Sequence, residues 1–266
     1  MRIRSIWFKH FTSSGPAGRN KGKNGDDLMD PIYIDGKAMA ASEYWTLAWE
    51  RGASADARMG SDAEEEQYWR EHAFSYDERN PLAPYAGAIM EVVYAFLKPS
   101  DLLLEVGPGT GGFTRLLAPK VRQITVVEPS AAMYAELCRN WKELGFPAPA
   151  AVPAKWEEAP ELRADILFSA NAVYRIKDMK ESLLRMNAAA SRRVFLVQSM
   201  EKPFAHPLRA DIGGSTVERE RADALSGILH ELGIAHEYRK FPVRRKSGAV
   251  HPVALLHWEP VRFDGH

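Results

Sequence analysis

The sequence predicts an α/β protein built on a mostly parallel sheet, and three observations carry that expectation. First, residues 102–118, LLLEVGPGTGGFTRLLA, run strand, glycine loop, helix. Second, short apolar runs alternate with helix-patterned segments from there to residue 232, the signature of parallel strands joined by crossover helices. Third, β-patterned segments at 236–243 and 250–258 flank a Lys246-Ser247-Gly248 turn and close the sheet as a hairpin.

Composition bounds the function. A chain of 266 residues, 45% hydrophobic, can bury a substantial core. Lys and Arg number 35 against 35 Asp and Glu, so the basic excess expected of a nucleic-acid binder is absent. Cys138 is the only cysteine, which rules out an intrachain disulfide and suits a reducing compartment, the cytoplasm being the simplest. No apolar run approaches a membrane span; 86–97 comes nearest, and Glu91 interrupts it.

Taken in order, residues 1–24 hold Arg2, Arg4, Lys9, Arg19, Lys21 and Lys23 with no acid and no periodicity. Residues 1–28 read as a disordered extension, a simpler reading than a transit peptide. A helical lid segment is expected over 29–80. Within it, 38–51 is helical with Trp45 and Trp49 one turn apart, and 52–61 is a small-residue connector. Ser61 or Asp62 then caps a second helix whose first turn holds Glu64, Glu65 and Glu66, where the dipole favours acids. That helix carries Tyr68, Trp69 and His72 toward Phe74-Ser75-Tyr76-Asp77. Pro81 opens a helix over 82–97 and the main domain over 81–266.

The apolar run 102–106 is broken only by Glu105 and leads into Gly107, Pro108, Gly109, Thr110, Gly111 and Gly112. Glycines there let a ligand approach the backbone, and the helix that follows offers free N–H groups. Gly107, Gly109 and Gly112 fit the dinucleotide fingerprint, while Gly107, Gly109 and Gly111 fit a tighter spacing. A second strand, 124–127, ends at Glu128, 21 positions after Gly107, where an acid holds a ribose diol. Glu105 separates the templates: a carboxylate there suits a cationic amino group and repels a pyrophosphate.

Glu105-Val106-Gly107-Pro108-Gly109-Thr110-Gly111, followed by Val126-Val127-Glu128-Pro129-Ser130, resembles the class I S-adenosylmethionine-dependent methyltransferases. The resemblance covers roughly 81–259. It implies a Rossmann-like, seven-stranded, mostly parallel sheet with an antiparallel last strand and a helical N-terminal lid. It implies S-adenosylmethionine as cofactor, with Glu105 and the Gly107 to Gly111 backbone on the methionine and sugar, and Glu128 and Pro129 at the ribose. Met133 would lie on the adenine, a core methionine being the alternative. Trp156 would stack on that ring and Glu157 accept from its amine. Tyr76, on the lid, would meet the methionine end, or else pack with Trp69 and Phe74 on the core.

The remaining elements are a Pro-interrupted strand at 148–153, a strand at 165–168, a helix over 177–190, a strand at 193–199, a variable loop over 200–216 and a helix over 217–232. Asn171 to Tyr174, N-A-V-Y, follows the fourth strand, where open α/β sheets bind ligands. Amino-directed methyltransferases carry an Asn-Pro-Pro-Tyr type motif there, and ribosomal RNA adenine dimethyltransferases share Glu-x-Gly-Pro-Gly. Ala172 and Val173 depart from that motif, so the acceptor expected is a small molecule carrying an oxygen, nitrogen or carbon nucleophile. Tyr174, His206 and His72 are candidates for a base or for lining the acceptor pocket. The basic run 239–246 suits an anionic acceptor or a solvated hairpin. His251 and His257 share a strand face, with nothing nearby to complete a metal site. A dinucleotide enzyme, and a binding protein that keeps the pocket without chemistry, are the other classes.

Overall fold

The computed structural model describes residues 32–34, 37–79, 82–142, 144–145 and 148–262. The extension read as disordered, residues 1–28, and Pro81 lie outside them. A short pair, β1 (Tyr33–Ile34) and β2 (Lys37–Ala38), precedes three helices, α1 (Ala41–Ala55), α2 (Ala57–Gly60) and α3 (Asp62–His72). A 3-10 turn leads to α4 (Tyr76–Arg79), then α5 (Gly87–Tyr94). The body continues as β3 (Leu102–Val106), α6 (Gly112–Leu117), β4 (Gln123–Val127), α7 (Ala131–Lys142), β5 (Ala150–Val152), β6 (Ala164–Ala170), α8 (Met179–Ala189) and β7 (Ala190–Ser199). It ends with β8 (Leu208–Ile212), β9 (Ser215–Arg219), α9 (Arg221–Glu231), β10 (Glu237–Arg244) and β11 (Val250–Trp258).

Seven strands form one sheet in the order β10-β11-β7-β6-β3-β4-β5. The run from β7 to β5 is parallel, and the last strand, β11, pairs antiparallel with both β7 and β10. This is the sheet that the sequence predicts. Its central strands are apolar on both faces because helices cover both. The side-chain period of two divides each strand cleanly. Leu104, Leu167, Val194, Leu196 and Leu256 pack on one face with α1, α8 and α9. Leu103, Ile166, Phe168, Phe195 and Leu255 pack on the other with α5 and α6.

Three expectations needed correction. The connector expected over 52–61 is helical, because α1 runs on to Ala55 and Asp56 caps α2 by accepting from the Arg58 N–H at 2.9 Å. The helix expected over 82–97 is shorter: Pro84 sits in a 3-10 turn, Ala83–Tyr85, and α5 begins at Gly87. The variable loop holds the β8–β9 hairpin, which also claims Val217 to Arg219 from the expected helix.

The N-terminal segment divides in two. Helix α1 belongs to the core: Trp45 and Trp49 donate their indole N–H groups to the carbonyls of Ile176 and Arg175, each at 2.8 Å. Tyr44 donates to the Leu208 carbonyl at 2.9 Å, tying α1 to the hairpin. Helices α2 to α4 line the cavity onto which the glycine loop opens, and Asp77 of α4 meets the loop at Thr110.

Candidate active site

The glycine loop leaves β3 at Gly107, whose N–H donates to the Val127 carbonyl at 2.9 Å. Gly107 has φ +67°, and a Cβ there would stand 2.2 Å from the Ala172 Cβ. No side chain fits between the loop and the end of β6. Gly111 has φ +85° and caps α6. It faces Leu137 and shapes the turn from behind.

Two carboxylates frame the loop. Glu105, 2% exposed beneath it, has an Oε2 with no hydrogen-bond partner. Burial, with a smaller push from Glu128, raises its carboxyl to about 8. Glu128 accepts the Gly109 N–H on Oε2 (3.1 Å) and the Ser130 N–H on Oε1 (3.0 Å). Burial raises it to about 7 despite those bonds, and Glu66 and Glu65 add to the rise. A buried carboxylate without a cation is costly, so this corner fits a guest that brings an ammonium to Glu105 and hydroxyls to Glu128. That is the donor set S-adenosylmethionine presents.

The lid is pinned over this corner at several points. Ser61 caps α3 by accepting the Glu64 N–H at 3.3 Å. Asp62 pairs with Lys155 and with Arg175 (2.8 Å). Glu65, 6% exposed, accepts from Trp69 Nε1 (2.8 Å), Arg58 Nε (2.9 Å) and the Tyr174 hydroxyl. Asp77 accepts from the Thr110 hydroxyl and from Asn140 Nδ2. Beneath the lid lies a cavity of about 940 Å³.

The structure brings most of the candidate residues together. Glu105, Gly107, Pro108, Gly109, Thr110, Glu128, Pro129, Met133, Trp156, Glu157, Asn171, Tyr76 and Tyr174 all line the cavity. Trp156 also donates to the Ser182 carbonyl (3.4 Å), and the Arg185 guanidinium covers its ring at 4.9 Å. Tyr174 holds its proton firmly: burial first, then Glu65, push its phenol far above the usual range.

Two candidates are misplaced. His72 stacks on Tyr68 with Nδ1 2.8 Å from the Tyr68 carbonyl, and His206 is exposed in the loop after β7. Neither lines the cavity. Asn171 does, with φ +54°, but its Oδ1 accepts the Ser199 N–H (2.7 Å) and Gln198 Nε2 (3.2 Å), and its Nδ2 donates to Ser199 Oγ (3.1 Å). Its amide joins the ends of β6 and β7.

Sequence reasoning missed Glu65, Glu66 and Arg58 as cavity residues. Glu65 and Glu66 read only as helix-dipole partners, because three successive acids look alike until the helix is docked. Among the described residues, no group of three or more His, Cys, Asp or Glu is placed to hold a metal ion, and no helix is long and apolar enough to cross a membrane.

The fold and the carboxylate-framed glycine loop define a class I, S-adenosylmethionine-dependent methyltransferase. Residues 76–236 match the family described as a methyltransferase domain, and the chain belongs to that family. The dinucleotide alternative falls with that match. In fold the chain is similar to magnesium protoporphyrin IX methyltransferase from Synechocystis, with a TM-score of 0.52 and 15% identity over 73% of this chain and 91% of that one. It is also similar to the N-methyltransferase NodS from Bradyrhizobium japonicum, with a TM-score of 0.51 and 14% identity over 75% and 98%. By sequence, 62 residues are 47% identical to a dimethyladenosine transferase of Candida glabrata, covering 23% of this chain. The match spans only 18% of that enzyme's own length.

Proposed function

We propose that this protein is an enzyme that methylates an oxygen, nitrogen or carbon atom of a small molecule held under the lid. The observation that carries the reading is the lidded cavity itself. Its volume, about 940 Å³, lies toward the upper end of the range for small-molecule sites, roughly 300–1,000 Å³. That leaves room for an acceptor beside the cofactor.

S-adenosylmethionine supplies, when bound, a methyl group made electrophilic by its sulfonium. Glu105 would hold the ammonium and Glu128 the ribose hydroxyls. Trp156, Met133 and Glu157 would serve the adenine end, and Tyr76 the methionine end. The lid keeps water out and holds the acceptor in line. Tyr174, fixed by Glu65, presents its phenol oxygen at the acceptor end of the cavity, where it receives a hydrogen bond from the nucleophile and orients it. In a reducing compartment such as the cytoplasm the lone Cys138 stays a thiol.

The test is methyl transfer from labelled S-adenosylmethionine into fractionated small-molecule and RNA pools. Label in the small-molecule fraction supports this reading. Label in RNA overturns it in favour of an adenine methyltransferase, which the short match to the Candida glabrata enzyme favours. The Asn171 amide, already spent on Ser199 and Gln198, speaks against that second reading. Binding of the cofactor product without transfer into any pool would mark a retained pocket without chemistry.

A further inference from the structure

We infer that Glu66, on the lid helix α3, is a direct cofactor ligand that joins Glu128 around the nucleoside hydroxyls, so that the lid closes on the cofactor itself. This rests on the methyl-donor reading above and adds a residue from outside the glycine-loop domain. Glu66 lines the cavity. Its Oε1 accepts the Ala132 N–H at 3.3 Å, in the first turn of α7, and lies 3.8 Å from Arg70 Nε. Ala132 is two residues beyond Ser130, whose N–H is held by Glu128. The two carboxylates therefore meet at one corner, one carried by the lid and one by the end of β4.

Glu66 Oε2 is buried and has no hydrogen-bond partner in the protein. A buried carboxylate oxygen in that state calls for a donor. Each Glu128 oxygen accepts one backbone N–H and keeps a further lone pair. A guest with vicinal hydroxyls satisfies both carboxylates together. A nucleotide with a phosphate at this corner brings acceptor oxygens where the two carboxyl groups call for donors, so Glu66 also sharpens selection against phosphorylated nucleotides.

The experiment is calorimetric titration of the whole chain with S-adenosylhomocysteine and with its 2′-deoxy analogue, for wild type, Glu66→Gln and Glu66→Ala. Hydrogen exchange over residues 62–72 is followed with and without ligand. Glu66→Ala is expected to bind S-adenosylhomocysteine at least about tenfold more weakly, to lose ligand-induced protection of α3, and to discriminate less between the two ligands. Glu66→Gln, which keeps an acceptor oxygen, falls between. The melting temperature of ligand-free Glu66→Ala, expected within a few degrees of wild type, separates lost contact from lost fold. Wild-type affinity in Glu66→Ala, within twofold, overturns the inference alone. No binding to wild type overturns the donor reading and this inference with it.

Discussion

The Thr110 hydroxyl donates to Asp77 Oδ1 at 2.6 Å, which joins the glycine loop directly to the lid. Asp77 Oδ2 accepts from Asn140 Nδ2 at 3.2 Å and lies 3.4 Å from Arg115 Nη2. One carboxylate thus gathers α4, the loop, α6 and α7. Asp77→Ala is expected to cost about 1–2 kcal/mol in urea denaturation, a figure reduced because the Asp77 side chain is 35% exposed. An unchanged midpoint would mean the lid is held without it.

Glu128→Ala is expected to weaken S-adenosylhomocysteine binding by about 1.5–3 kcal/mol, through lost bonds to a charged acceptor. The same change releases the Gly109 and Ser130 N–H groups. Calorimetry reports the affinity, and unaltered affinity would remove Glu128 from the ribose site.

Stability of the ligand-free protein is expected to fall between about pH 5 and pH 8. Glu105 and Glu128 rise from the ordinary 4.5 to about 8 and about 7 in the fold. In that window the unfolded chain has released both protons while the folded chain keeps that of Glu128 to about pH 7 and that of Glu105 to about pH 8, so raising the pH favours unfolding. Below the window both states are protonated and the slope vanishes. Thermal melts across it should show the decline, and Glu105→Gln should flatten the part that extends toward pH 8. Binding a ligand with an ammonium should run the other way, tightening as pH rises and releasing a proton that calorimetry in two buffers detects.

Gly107→Ala is expected to destabilise the protein by about 2 kcal/mol or more, from left-handed backbone strain joined to a clash. The clash is with one atom, the Ala172 Cβ at 2.2 Å. Adding Ala172→Gly should recover the steric part and leave the backbone part, a partial rescue visible in melting temperature. Full rescue would mean the positive φ at Gly107 costs nothing.

What was legible in the sequence was what depends on local pattern. The strand expected at 102–106 is β3 to the residue, since both faces are buried and glycine ends it. The helix start was readable as Ser61 or Asp62, and the Ser61 hydroxyl is the cap. The β8–β9 hairpin was not recognised, though Gly213-Gly214 between the alternating Leu208, Ala210 and Ile212 and a second strand is a two-residue turn signal. The polar Arg209 and Asp211 between those residues give the stretch the composition of a loop. In the site, Glu105 stood out because it interrupts an apolar run, and Glu128 because it ends one. Glu65 did not stand apart from the exposed Glu64, because only docking of α3 against Tyr174 and Arg58 distinguishes them. His72 and His206 drew attention by chemistry alone, and chemistry does not say which way a side chain points.

Because β11 lies between β7 and β10, the sheet cannot be finished in the order in which the chain is made. While the polypeptide is still being synthesised, β7 has an open flank until Val250 to Trp258 have left the ribosome, and β10 has nothing to pair with. An uncovered strand edge is a template for other chains. The final strand therefore acts as a keystone: a nascent chain stalled before residue 250 would carry its glycine loop already shaped but its sheet exposed to aggregation.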